Sequence, residues 1–125
     1  MILVDTDILI WVLRGDEGYT KSFKQAIEKS GGLVYITPIQ IAEIIAGARA
    51  KERKAIDKFL DSLTTLPIDG EIGIIAGEFI NRYGKSHNVT LADALIGATA
   101  KANEFKLWTL NKKHYPMLTN EDFAA

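Results

Sequence analysis

The chain has 125 residues, enough for one core and read as one domain over residues 1–125; 47% are apolar and 25% charged, which excludes a disordered or fibrous chain. Its 15 basic and 16 acidic residues leave a net charge of −1, so nucleic acid can be bound only through a local patch, not by the field of the whole molecule. The absence of cysteine removes disulfides, thiolate zinc sites and cysteine nucleophiles together, and fits a reducing compartment such as the cytoplasm.

Ile2 to Val4 read as a short strand too apolar to alternate, hence buried on both faces. No basic leader precedes it, and Asp5 and Asp7 break the apolar run, so neither a signal peptide nor a membrane span is read here. Chain direction changes near Asp5, and Ile8 and Val12 favour a helix to about Arg14-Gly15. After a polar break at Asp16 to Tyr19, Phe23, Ala26 and Ile27 mark a helix over residues 20–29, stopped by Ser30-Gly31-Gly32. Leu33 to Ile36 is a second strand. Thr37-Pro38-Ile39-Gln40 combines a cap, a proline at the first helical position and a capping box. The helix it opens, to about Gly47, is apolar nearly all round and is expected to be buried. A helix over 51–63 follows, with Ile56, Phe59, Leu60 and Leu63 on one stripe, then a third strand at Leu66-Pro67-Ile68. Asp69 caps a helix that carries Ile72, Ile75, Ala76, Phe79, Ile80 and Tyr83 on one face. Thr90 opens a helix from Leu91 to about Asn103, and Leu107-Trp108-Thr109 is a fourth strand. Trp11 and Trp108 are read as mostly core, and residues 120–125 as frayed. Short apolar strands alternating with helices argue for a parallel sheet covered on both faces, whose ligands bind at the carboxyl ends of the strands.

Four carboxylates stand in apolar settings: Asp5, Asp7, Glu43 and Asp93. Two buried charges side by side repel by about 4 kcal/mol at 4 Å with an effective dielectric of about 20, so a counter-charge or an open cleft is expected near Asp5 and Asp7. Each acid also has a bland reading. Asp5 or Asp7 can cap the first helix, Glu43 can pair with Arg49, and Thr90-Leu91-Ala92-Asp93 is itself a capping box. Asn111, just past the last strand, is by itself a common turn residue. Together the acids and Asn111 are a set of hard oxygen ligands suited to Mg²⁺ or Mn²⁺, an ion that activates water and neutralises phosphate charge. No Walker-type phosphate loop and no Gly-x-Ser-x-Gly motif is present.

Ile2 to Ile10 resembles the opening motif of the PIN domain. Thr37-Pro38 with Glu43, then Asp93-Ala94-Leu95-Ile96, then Trp108 to Tyr115, resemble the later motifs of that family in order and spacing. In length and build the chain is similar to the VapC toxins of toxin–antitoxin pairs. This resemblance implies a three-layer α/β/α sandwich with a short, mainly parallel sheet of four or five strands. It also implies a Mg²⁺- or Mn²⁺-dependent endoribonuclease that hydrolyses RNA phosphodiester bonds with metal-activated water, inhibited by a VapB-like antitoxin, and a homodimer. By position, Asp5, Glu43 and Asp93 match the acidic triad of the family. Asn111 falls where a fourth acid is common, and Asp7 where a small polar residue is common, so Asp7 partly replaces the missing charge. Thr6 and Thr109 are hydroxyls placed to orient ligands or water. Lys112, Lys113 and His114 beside the site, and Arg49 after the Glu43 helix, are candidate phosphate contacts. Two other readings stay open: a haloacid-dehalogenase-like phosphatase that uses Asp5 of the Asp5-x-Asp7 pair as nucleophile, and a non-catalytic module that binds RNA or protein.

Overall fold

The computed structural model describes residues 1–124. Four strands, β1 (Ile2–Val4), β2 (Tyr35–Ile36), β3 (Thr64–Thr65) and β4 (Lys106–Trp108), form one parallel sheet in the order β3-β2-β1-β4. Six helices connect them: α1 (Thr6–Leu13), α2 (Glu17–Lys29), α3 (Pro38–Ala46), α4 (Arg53–Asp61), α5 (Gly70–Tyr83) and α6 (Leu91–Asn103). Leu107 and Phe123 add one further parallel bridge at the β4 edge.

The period-two geometry of the strands divides the core in two. Leu3, Tyr35 and Leu107 face one cluster, with Ile72 and Ala76 of α5 and Ala94, Ile96, Ala98 and Ala100 of α6. Val4, Val34, Ile36 and Trp108 face the other, with Ile8 and Leu9 of α1, Phe23 of α2, Ile44 of α3, and Ile56 and Leu60 of α4. The sheet is thus covered on both faces, which makes three layers and explains why the strands are apolar without alternation.

Strand order positions the site. From β1 the chain moves through β2 to β3 on one side, then returns through α5 and α6 to β4 on the other. This reversal beside β1 is the kind of crevice in which open parallel sheets bind ligands, at the carboxyl ends of the strands. Val4 lies opposite Trp108, and the Asp5 N–H donates to the Trp108 carbonyl at 2.9 Å. Asp5 and Thr109 therefore leave neighbouring strands at the same edge. On the other side of β1, the buried Gln40 of α3 links that edge to the helix. Its Nε2 donates to the Val4 carbonyl at 2.9 Å, and its Oε1 accepts from the Thr37 N–H at 3.0 Å and from the Thr37 hydroxyl.

Several expectations need correction. The third strand is Thr64–Thr65, not Leu66 to Ile68, because β3 pairs with Tyr35 and Ile36 before Pro67, which has no N–H to donate. The helix expected over 51–63 is a 3₁₀ turn, Ala50–Glu52, followed by α4. The second helix starts at Glu17, since Asp16 caps it by accepting from the Tyr19 N–H at 2.9 Å. Helix α3 is not buried all round, because Ala42, Glu43 and Ala46 form an exposed strip. Trp11 is 39% exposed and stacks on Tyr19. The tail is tied down: Phe123 is buried, the Ala124 N–H donates to the Leu107 carbonyl at 2.9 Å, and Lys101 pairs with Asp122 at 2.9 Å.

Replacing Gln40 by leucine strips the Val4 carbonyl of this donor and the Thr37 N–H of its acceptor inside the core. Gln40→Leu is expected to lower the unfolding free energy by about 2 kcal/mol, read from the urea midpoint at an unchanged slope.

Candidate active site

The carboxylate of Asp5 is the centre of the site. It is 8% exposed and caps α1, with Oδ1 accepting from the Thr6 N–H at 2.8 Å. Its Oδ2 accepts from the Thr109 hydroxyl at 2.8 Å and from the Tyr115 hydroxyl at 2.8 Å. Burial first, then the charge of Asp7, pushes its pKa above the ordinary carboxylate value, while the bonds from Tyr115, Thr109 and Thr6 oppose that rise.

Asp7 does something else. Its Oδ1 accepts from the Ile8 N–H at 2.7 Å, and its Oδ2 from the Leu110 N–H at 3.0 Å and the Asn111 Nδ2 at 2.9 Å. It holds the turn after β4 against the start of α1. The Thr109 hydroxyl has one proton, and the 2.8 Å contact to Asp5 takes it in preference to Asp7 at 3.3 Å. As an acceptor the same hydroxyl receives the Asn111 N–H at 3.1 Å.

Glu43 reaches the edge from α3, and its Oε1 accepts from the Thr6 hydroxyl at 2.8 Å. Thr6, and not Arg49, is thus the partner of Glu43. Asp93, in the first turn of α6, is 22% exposed and lies 3.8 Å from His114 Nδ1. The capping box read at Thr90 is half formed: the Thr90 hydroxyl accepts from the Asp93 N–H at 3.2 Å, while the Asp93 carboxylate lies near enough to Tyr115 for its charge to act on that hydroxyl. Asp5, Asp7, Asp93, Glu43, Thr6, Thr109 and Asn111 therefore share one sheet edge. Among the described residues, no three Asp, Glu or His side chains are gathered tightly enough to cage an ion as they stand. Every candidate ligand on this edge is a hard oxygen, the donor type that divalent cations such as Mg²⁺ take.

The basic candidates differ among themselves. The Lys112 ammonium lies 5.4 Å from the centre of the Phe123 ring, turned toward the tail. Lys113 and His114 are exposed. Arg49 lines a hollow with Glu43, Gly47 and Arg14, which places two guanidinium-bearing residues beside the Glu43 side of the edge. Arg14 escaped the sequence reading because it ends a helix, where a basic residue has an ordinary role. Tyr115 escaped it because its carboxylate partner lies 110 positions away in the chain, and Gln40 because its role was read as capping alone.

Folding raises the pKa of Asp5, so its ionisation costs stability: the folded state keeps its full stability below the ordinary carboxylate value of 3.8 and loses some as pH rises through the value of the buried group. Asp5→Asn removes that loss. With a chelator present, the stability of the variant relative to the parent is expected to rise as pH is raised from 4 to 7, measured by urea unfolding across that range.

Known proteins share this sequence pattern and this fold. The sequence matches the PIN domain family over residues 2–116. Ribonuclease VapC10 of Mycobacterium tuberculosis is 40% identical over 118 residues, 94% of this chain and 87% of that protein. Ribonuclease VapC1 of Methanocaldococcus jannaschii is 35% identical over 120 residues, 94% of this chain and 80% of that protein. A toxin–antitoxin complex from Klebsiella pneumoniae contains a chain of the same fold, with a TM-score of 0.80 at 24% identity over 100% of this chain and 97% of that one. VapBC2 from Rickettsia felis, solved with a DNA fragment from their promoter, gives a TM-score of 0.77 at 19% identity over 96% of this chain and 95% of that one. The chain belongs to the PIN domain family, and among its members it is of the VapC type.

Proposed function

We propose that this chain is a metal-dependent endoribonuclease, the toxin of a VapBC-type pair, and that Asp5, Asp93 and Glu43 hold Mg²⁺ or Mn²⁺. The observation that carries this reading is a buried, pre-oriented carboxylate at the end of β1, with further acids on the same edge and no cation among its hydrogen-bond donors. Its relatives named as VapC ribonucleases support the substrate class. When bound, the ion supplies charge neutralisation at the scissile phosphate and a water that ionises near neutral pH.

The other parts of the task fall to the side chains of this chain. Thr6, Thr109 and Tyr115 hold Asp5 in one orientation, and the Thr6 hydroxyl fixes Glu43 beside it. Lys113 and His114 on one flank and Arg49 on the other contact RNA phosphates, which an acidic centre alone would repel. Lys112 contributes less, since its ammonium is turned toward Phe123. Asp7 stands outside the ligand set, because both its oxygens accept from Ile8, Leu110 and Asn111, whereas Asn111 uses only Nδ2 in that contact and keeps Oδ1 as a weaker, amide ligand. A small VapB-like antitoxin is the partner, as in the solved VapBC complexes of similar fold; a cytoplasmic homodimer as the working form is part of the same proposal. No helix among the described residues is long and apolar enough to cross a membrane. Membership of the PIN family sets aside the dehalogenase-type reading of Asp5.

In a test on total RNA, cleavage is expected to need Mg²⁺ or Mn²⁺, to stop with EDTA, and to fall at least about 10²-fold in Asp5→Asn and in Asp93→Asn, as expected when charge stabilisation at the reacting phosphate is lost. Cleavage that persists in purified Asp5→Asn overturns the assignment. Divalent-ion binding without cleavage of any RNA would instead favour the non-catalytic module.

A further inference from the structure

We propose that Tyr115 is a positioning residue which, together with Thr109, caps Oδ2 of Asp5 and so makes Asp5 a ligand of one oxygen only, biasing the site toward small divalent cations. The inference rests on the proposed metal site and adds a determinant of its selectivity. A carboxylate offers about four lone-pair sites, two on each oxygen. On Asp5 the Thr6 N–H takes one site of Oδ1, while the hydroxyls of Thr109 and Tyr115 take both sites of Oδ2, all at 2.8 Å. One site, on Oδ1, is left for a cation. Chelation through both oxygens is closed off by the two hydroxyls, without any steric block.

The identity of the capping group matters. A lysine in this place would neutralise Asp5 and compete with the ion. A hydroxyl orients the carboxylate and leaves its charge in place. The Tyr115 hydroxyl donates to Oδ2 of Asp5 at 2.8 Å and carries no charge of its own to compete with the ion. Its ring is fixed independently of the hydroxyl. Tyr115 is 1% exposed and packs on α6 at Gly97, where an added Cβ would lie 3.5 Å from the ring and 3.3 Å from Met117 Sδ. Removing the oxygen alone therefore leaves the ring seated.

Ion size translates the capping into selectivity. Ca²⁺ accepts two-oxygen carboxylate ligation at 2.3–2.6 Å, whereas Mg²⁺ demands octahedral geometry at about 2.1 Å and takes carboxylates one oxygen at a time. Opening Oδ2 should favour Ca²⁺.

The test is calorimetric titration of Mg²⁺, Mn²⁺ and Ca²⁺ into the metal-free parent, Tyr115→Phe, Thr109→Val and Thr109→Ser, with RNA cleavage measured in parallel. In Tyr115→Phe the ratio of Mg²⁺ to Ca²⁺ affinity is expected to shift toward Ca²⁺ by about fivefold or more, with circular dichroism and fold unchanged. Thr109→Val, which removes the other donor to Oδ2, should shift the ratio the same way, and Thr109→Ser, which keeps a hydroxyl, should not. A ratio within about twofold of the parent in both Tyr115→Phe and Thr109→Val, in a protein that binds Mg²⁺ and cleaves RNA, overturns this inference and leaves the ribonuclease reading intact. A parent that neither binds divalent ions nor cleaves RNA overturns both.

Discussion

The structure is organised around one electrostatic constraint, a carboxylate that is 8% exposed at the end of the central strand with a second carboxylate two residues on. Two such charges repel by about 4 kcal/mol at 4 Å with an effective dielectric of about 20. The usual answer is a lysine or arginine. Here the donors to Asp5 are neutral: one backbone N–H and two hydroxyls. Neutral donors hold a carboxylate in place and leave its charge uncancelled. A protein that only needed a helix cap would gain more from a cation at this spot, or from serine in place of the acid. The uncancelled charge is the physical reason to read the edge as a cation site.

The topology is what makes the neutral solution possible. The three donors to Asp5 lie 1, 104 and 110 residues away in sequence, so two of them arrive only when β4 docks beside β1. That docking is reinforced from outside the sheet. The Phe123 bridge to Leu107 and the pairing of Lys101 with Asp122 clamp the tail onto β4 and α6. On the opposite side, the Gln40 bond to the Val4 carbonyl ties α3 to the last residue of β1, one helical turn before Glu43. Glu43 is thus referenced to the end of β1 through the buried Gln40 amide, while Asp93 comes from α6, a helix tied to the tail through Lys101 and Asp122. This explains how they can share an edge without forming a closed cage.

How legible this was in the sequence follows from the range of each interaction. Local signals read well: the capping box at Thr37, the cap at Asp69 and the helix opened by Thr90 depend on residues within four positions of each other. The acids were conspicuous because charge in an apolar run is anomalous wherever it lies. Two short strands were harder. β2 and β3 are two residues each, and their limits are set by the partner strand, not by their own composition. The ordered tail was misread for the same reason, since Phe123 is held by Leu107 and by little in its own neighbourhood. Tyr115 was quoted within a motif yet given no role. Nothing in the sequence distinguishes a tyrosine buried for its ring from one buried for its hydroxyl, until a carboxylate 110 positions away is found 2.8 Å from the oxygen.

Asp7 and Asn111 show the same limit from the other side. Read along the chain, an amide where an acid is common looks like a lost charge, and Asp7 looks like its replacement. The geometry reverses this logic. Asn111 Nδ2 donates to Asp7 Oδ2 at 2.9 Å, beside the Leu110 N–H at 3.0 Å. An acid at position 111 would put a second carboxylate against the first with no proton between them. Asp7 and the amide are in this sense a matched pair, one accepting what the other donates. In return the pair fixes the turn after β4, from which the Thr109 hydroxyl reaches Asp5 and the chain continues to Tyr115. The two acids of the opening stretch divide the work on this basis. Asp7 commits its oxygens to donors from Ile8, Leu110 and Asn111 and builds the support, which leaves Asp5 as the acid at the end of the central strand with a lone pair to offer a ligand.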